Sequence, residues 1–297
     1  MFVKLVISEE YCILMRVLVW VCLTLLVGIL LFDLAGQYLS AQRGQINLPA
    51  ETVIGQAGGT AVQAGREQAQ IRAIEKSTWP ASFVHNLDIL RQYSWLFALI
   101  VVSSVMAQEY LWRVPQMLLG GGVSRPAYLG SRCLALFLPV LFLVLAPILI
   151  TGIVSAFFTQ SLLGTFNLHS VNYAQLGLSI LAAVCGLLPY ACLALLFTVI
   201  SRGYILPIGG GLAFVVIENM LFNQRLPAAH YLPFSLGTAL SQIYQYIPSA
   251  PSVASGYEVD PFFKALGAPW AFAGLAMWSG IFLLLAAVIF LKQDLPE

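Results

Sequence analysis

The chain has 297 residues, 60% of them hydrophobic and only 9% charged, where an average soluble domain carries about 25% charged residues. With 14 Lys and Arg against 13 Asp and Glu the formal net charge is +1, so there is neither a basic field to attract nucleic acid nor an acidic tail to solvate a disordered region. That balance excludes an ordinary water-soluble fold and a nucleic-acid partner, and predicts an all-α integral membrane protein. The expected plan is a single transmembrane domain over residues 1–297, with six helices in one bundle and an outer insertion between the first two.

A helix that crosses about 30 Å of hydrocarbon needs roughly 20 apolar residues. The first such run covers residues 17–38. It follows Ser8-Glu9-Glu10, lacks a small-residue cleavage motif and is too long for a signal core, so it reads as a retained helix. Residues 39–92 are polar and predict an extracytoplasmic insertion. Within it, residues 61–76 are rich in helix formers, with Ile71 and Ile74 offering only a thin apolar stripe, and read as a solvated surface helix. The second span falls at 93–112, and a cytoplasmic loop follows at 109–130.

Residues 133–201 contain no Asp, Glu, Lys or Arg, which is too long for one crossing and suits two, at 133–158 and 175–201. The polar residues Thr159-Gln160-Ser161 and Asn172-Tyr173 supply the turn. The last two spans are 204–222 and 268–291. Between them, residues 223–267 mix proline with aromatics such as Phe234, Tyr244, Tyr246 and Tyr257, a composition that favours an interfacial or re-entrant segment capping the outer mouth. Pro139 and Pro147, Pro189, and Pro207 with Gly209-Gly210-Gly211 break the third, fourth and fifth spans. In lipid such breaks are tolerated inside a packed bundle or at a cavity, so they serve either packing or a change of shape.

Six spans put both termini on one side. That side holds Lys4, Arg16, Arg113, Arg125, Arg132, Arg202 and Lys292, the other Arg43, Arg66, Arg72, Lys76, Arg91, Arg225 and Lys264. Short loops weigh more than long ones in setting orientation, so the arginines of the compact loop place both termini in the cytoplasm; the expected location is a prokaryotic plasma membrane.

The search for chemistry turns up no catalytic set. Cys12, Cys22, Cys133, Cys185 and Cys192 lie in or beside apolar runs and read as small buried hydrophobes without a disulfide framework. Gly120-Gly121-Gly122 and Gly209-Gly210-Gly211 lack the lysine of a phosphate-cradling loop, so any ATP is hydrolysed on another chain. His85, His169 and His230 are isolated and read as residues of outer loops, and no metal spacing is present. Without a histidine in a span, Ser103-Ser104 reads as a packing pair. The expectation is a transport subunit with no cofactor or metal of its own. Asp33 and Glu218 lie within spans, toward the outer leaflet, and Asn219 and Asn223 extend the polar patch around Glu218. An intramembrane carboxylate is a functional site by default, so Asp33, Glu218 and Asn219 are candidates for a substrate path; the competing reading has the two acids hydrated at the interface.

The most distinctive stretch runs Gln108-Glu109-Tyr110-Leu111-Trp112-Arg113-Val114-Pro115-Gln116-Met117-Leu118-Leu119-Gly120-Gly121-Gly122-Val123-Ser124-Arg125. It suits a brief helix and turn along the membrane face, with Trp112 and Arg113 as interface anchors, or else a snorkelling interfacial turn. The run resembles the segment after the second helix in permease subunits of type 2 ABC exporters, where Glu-Tyr-x-Trp-Gly-Thr-Leu-Arg-x-Leu-Leu leads through Gly-Val-Ser-Arg to a Leu-rich third helix. Glu109, Tyr110, Trp112, Leu118, Leu119, Gly122, Val123, Ser124 and Arg125 match, and Arg132 stands where lysine is usual. Arg113-Val114-Pro115-Gln116 departs from the family's Gly-Thr-Leu-Arg. Ser8-Glu9-Glu10 before the first span and Tyr231-Leu232-Pro233 before the last are also similar.

The resemblance implies a subunit that pairs with a second permease subunit and two cytoplasmic ABC ATPases, which carry ATP and Mg. In that family the loop is a coupling helix, and Glu109, Tyr110, Trp112, Arg113, Gln116 and Arg125 would contact the ATPase. A hydrophobic or amphipathic substrate would then move by alternating access. Two rivals stand beside it: an ion-coupled secondary transporter working through Asp33 and Glu218, and an accessory membrane subunit that docks a partner without transporting.

Overall fold

The computed structural model describes residues 17–46, 78–79, 81–164, 173–224, 227–243 and 261–293, and every regular element among them is helical. In chain order these are α1 (Val17–Ile46), α2 (Ala81–Leu111), α3 (Val114–Gly120), α4 (Arg125–Leu163), α5 (Tyr173–Ser201), α6 (Ile205–Asn223), a 3₁₀ turn (Pro227–Tyr231), α7 (Pro233–Ile243) and α8 (Pro261–Lys292). Six helices, α1, α2, α4, α5, α6 and α8, are long and apolar enough to cross a membrane.

The second span begins earlier than its hydropathy indicates. α2 starts at Ala81 rather than near residue 93, because Ser82, Asn86, Asp88, Arg91 and Ser94 lower the apolar average of a segment that is nonetheless packed on its neighbours. Ser82 bonds the Ser155 hydroxyl of α4, and Asn86 and Ser94 are buried. Residues 81–92 therefore belong to a helix and not to the insertion, and His85 lies within a span rather than in an outer loop. The surface helix expected at 61–76 lies outside the described residues, as does His169. α4 likewise starts at Arg125, with Pro126 in its first turn, where a missing N–H breaks no helical bond. For the same reason Pro207, in the opening turn of α6, is no break, whereas Pro139, Pro147 and Pro189 do lie inside helices. One true interruption is at Gly267 of α8, whose φ of 74° and ψ of 163° are non-helical and which stands two residues before Pro269.

α5 is the hub and touches α2, α4, α6, α7 and α8. The main core joins Leu26 and Leu30 of α1, Leu90, Leu99 and Met106 of α2, Leu143 of α4, Leu187 and Leu195 of α5 and Phe290 of α8. Two smaller clusters seat α8 on α5: Ala182, Leu236, Leu240, Ala271 and Leu275 around α7, and Cys192, Leu193, Leu196, Phe282 and Ala286 further along. Hydrocarbon is as apolar as leucine, so helices in lipid are held by close packing and polar ties rather than by burial from water. Small residues supply the closeness. A Cβ on Gly211 would meet Leu99 at 2.7 Å, one on Gly274 would meet Leu236 at 2.6 Å, and Gly186 and Gly237 let α5 and α7 touch backbone to backbone. Ser103 and Ser104 donate to carbonyls of their own helix, Leu99 and Val101.

Side-chain ties mark two ends of the molecule. At the end that holds the start of α1 and the finish of α8, Arg125 bonds the Leu291 carbonyl at 2.8 Å and Gln293 bonds the Val199 carbonyl at 2.7 Å. At the far end, Tyr38 meets Ser161 at 3.2 Å, the backbone N–H of Trp79 donates to the Thr159 hydroxyl at 2.6 Å, and the Trp278 indole donates to the Tyr231 carbonyl at 2.8 Å.

Candidate functional site

At the terminal end the loop after α2 is a folded element. Arg113 turns the chain with a left-handed φ of 54°, and α3 follows with Pro115 buried. Gly122 takes φ +88°, the N–H of Val123 bonds the Leu118 carbonyl at 3.1 Å, and that of Gly122 bonds Leu119 at 3.1 Å. This is the paired closure that stops a helix at a glycine, so the glycine triplet is a C-terminal stop. Leu118, Leu119 and Val123 pack against the main core, while Leu111, Trp112 and Met117 face outward, the last two each 64% exposed.

The six residues expected to contact a partner divide into two sets. Trp112 and Arg113 are exposed; Gln116 is half-buried, and Tyr110 is half-buried against the core. Glu109, in contrast, is buried, and Arg125 is half-buried and engaged by the end of α8. Glu109 stands three and four residues after Met106 and Val105, both fully buried, and so shares their face of α2. Its Oε2 lies 2.7 Å from Arg132 Nε and accepts the Tyr128 hydroxyl at 3.0 Å. The Arg132 guanidinium sits 4.8 Å over the Tyr128 ring, which in turn stacks on Phe290 at 5.5 Å. Arg125 donates to the Leu291 and Gln293 carbonyls, closing the end of α8. Sequence reading missed Tyr128 and Arg132 as members of this site. The available signal was Arg132, one full heptad into an apolar helix, facing a glutamate at the end of the long helix before it, since buried charges require partners.

The second group of expected residues is dispersed. Asp33 pairs with His85 at 2.8 Å, half-buried, a partner hidden by the placing of His85 in a loop. Asn219 is exposed and accepts the Asn223 amide at 3.2 Å, facing away from Glu218. Glu218 itself is 1% exposed. Its Oε2 accepts the Tyr190 hydroxyl at 3.0 Å, the backbone N–H of Phe234 donates toward the carboxylate, and its Oε1 is buried with no hydrogen-bond partner. This corrects the reading of Glu218 as hydrated at an interface: the first turn of α7 folds back over it, a long-range contact that helix depth alone does not reveal. Arg91 of α2 lies within electrostatic reach of Asp88 and of Tyr190, and the Trp95 ring is 6.4 Å from that of Tyr190. Among the described residues no three His, Cys, Asp or Glu side chains gather to hold a metal ion.

Residues 68–295 match the family described as protein of unknown function DUF2705. The chain belongs to that family. The DUF2705 match takes in α2 through α8, and with them Glu109, Tyr128, Arg132, Tyr190 and Glu218, and leaves α1 with Asp33 outside. No curated protein matches the chain.

Proposed function

We propose that this chain is the membrane-spanning permease subunit of an ATP-driven exporter, working with two cytoplasmic ATPase subunits and a second permease subunit. The observation that carries the reading is α3 with the turn before it: a short helix with a glycine stop, seated on the core by Leu118 and Leu119, which together with that turn and the end of α2 presents Leu111, Trp112, Arg113 and Met117 outward between two long spans. In this reading the six long helices form one bundle in the bilayer, with both termini and α3 on the cytoplasmic side. Arg91, counted by sequence among the outer cations, belongs to a helix. Arg113, Arg125, Arg202 and Lys292 stand at helix ends on the terminal side, as the positive-inside rule expects.

Glu109, Arg132, Tyr128 and Phe290 connect α2, α4 and α8. Packed side chains transmit displacement because they lack the free volume to absorb it. A push on α3 by closing ATPase subunits then moves the three helices together, the rigid-body rocking that exchanges inward and outward access for a hydrophobic or amphipathic substrate. ATP and Mg act on the partner chain, because this sequence has no phosphate-cradling loop.

The burial of Glu218 supports one rival, an ion-coupled transporter. Purification of the full chain in mild detergent, with mass spectrometry of bound chains, separates the two. An ATPase that co-purifies with the wild type and is lost with Trp112→Ala supports the exporter. Substrate uptake in vesicles that follows an ion gradient and ignores ATP overturns it.

A further inference from the structure

We infer that Glu218, with Tyr190, forms a binding site for the ammonium head of an amphipathic amine. This deepens the exporter reading by naming its substrate class, and the physiological role of the site rests on that reading.

The charge balance comes first. α2 brings Asp88 and Arg91 one turn apart, where opposite charges offset one another. α6 adds Glu218, and α5 adds the neutral Tyr190. Among the described residues no cation pairs with Glu218. The donors present account for only part of that acid: Tyr190 satisfies Oε2 and the Phe234 N–H approaches the carboxylate, while Oε1 keeps its lone pairs, buried and unpartnered. A buried acceptor left without a donor is costly, and more so when charged.

The surroundings decide which donor. Tyr190, which bonds Glu218, has the Trp95 ring 6.4 Å away, and Phe234, whose N–H approaches the acid, meets Phe222 edge to face at 5.8 Å, Phe222 being one turn beyond Glu218 on α6. Aromatic faces attract a cation and accept an apolar body. A divalent metal would need several more oxygen ligands than this site gathers. A primary ammonium is a compact cation that can give one N–H to the free Glu218 oxygen and turn its remaining charge toward neighbouring aromatic faces.

The test uses the full-length protein in nanodiscs of zwitterionic lipid, titrated calorimetrically with octylamine and, separately, with 1-octanol, which has the same chain and no charge. Octylamine is expected to bind saturably, at least tenfold more weakly to Glu218→Gln, several-fold more weakly to Tyr190→Phe, and unchanged to Thr24→Ala on α1. Glu218→Gln keeps an acceptor for Tyr190; should it fail to fold by circular dichroism and size exclusion, Tyr190→Phe, which retains the carboxylate, decides. Absence of saturable octylamine binding, equal binding by wild type and the informative variant, or equal binding of octanol overturns the site. Since no ATP is present, a missing ATPase partner overturns the exporter and leaves this result intact, while lost binding beside a co-purifying ATPase overturns the site alone.

Discussion

Glu109, on the last turn of α2, and Arg132, two turns into α4, form a buried pair at 2.7 Å joining the helices on either side of α3. Their burial means that neither charge has water to fall back on if the other is removed. Glu109→Ala is expected to destabilise the protein by about 3 kcal/mol, because truncating one partner of a buried pair strands the other. The double variant Glu109→Leu with Arg132→Met should lose less than the sum of the two single changes. Thermal unfolding in detergent, followed by circular dichroism, measures the coupling; strictly additive losses would show that the pair does not act as a unit.

Trp112→Ala and Met117→Asp act on the segment between those two helices. Both side chains are mostly exposed, so each change is expected to alter stability by no more than about 0.5 kcal/mol. The effect expected is loss of the co-purifying ATPase, read by pull-down against wild type. Retention of the partner in both variants counts against α3 as the docking element.

Arg113 holds a left-handed backbone with φ 54°, the region that costs a residue with a Cβ about 1–2 kcal/mol. The pattern that the loop resembles has glycine here. Arg113→Gly is therefore expected to raise the melting temperature of the isolated protein while removing an exposed cation from the docking face. A lower melting temperature would show that the side chain itself anchors the turn.

Gly237 of α7 faces Gly186 of α5, each backbone limiting what the other can carry. Gly237→Leu is expected to force the two helices apart, costing about 1–3 kcal/mol as overpacking does, and to uncover Glu218. Labelling of that carboxylate by a hydrophobic carbodiimide should rise in the variant; unchanged labelling would show that α7 does not cover it.

Legibility from sequence followed the distinction between local and distant causes. α5 was plain because nothing charged interrupts it, and its limits fall within two residues of those expected. The opening turns of α2 were hidden because a hydropathy window averages over Asp88 and Arg91 without knowing that neighbours receive them. The docking loop was visible as a motif, yet which of its residues face outward depends on helical register. That register, fixed by Val105 and Met106 before Glu109, could have been read in advance. The surroundings of Glu218 could not, because they come from α5 and α7, remote in sequence from α6.

Arg91 and Asn86 emerge from the ribosome well before Tyr190 and the rest of α5, against which α2 packs. During synthesis the early helices therefore hold strongly polar groups with no finished interior to receive them, and a cell must shelter that half-built hairpin, by an insertase or by delayed release from the translocon, until the fourth long helix arrives. A chain cut short after α4 is expected to be degraded as an orphan, however well its remaining segments insert.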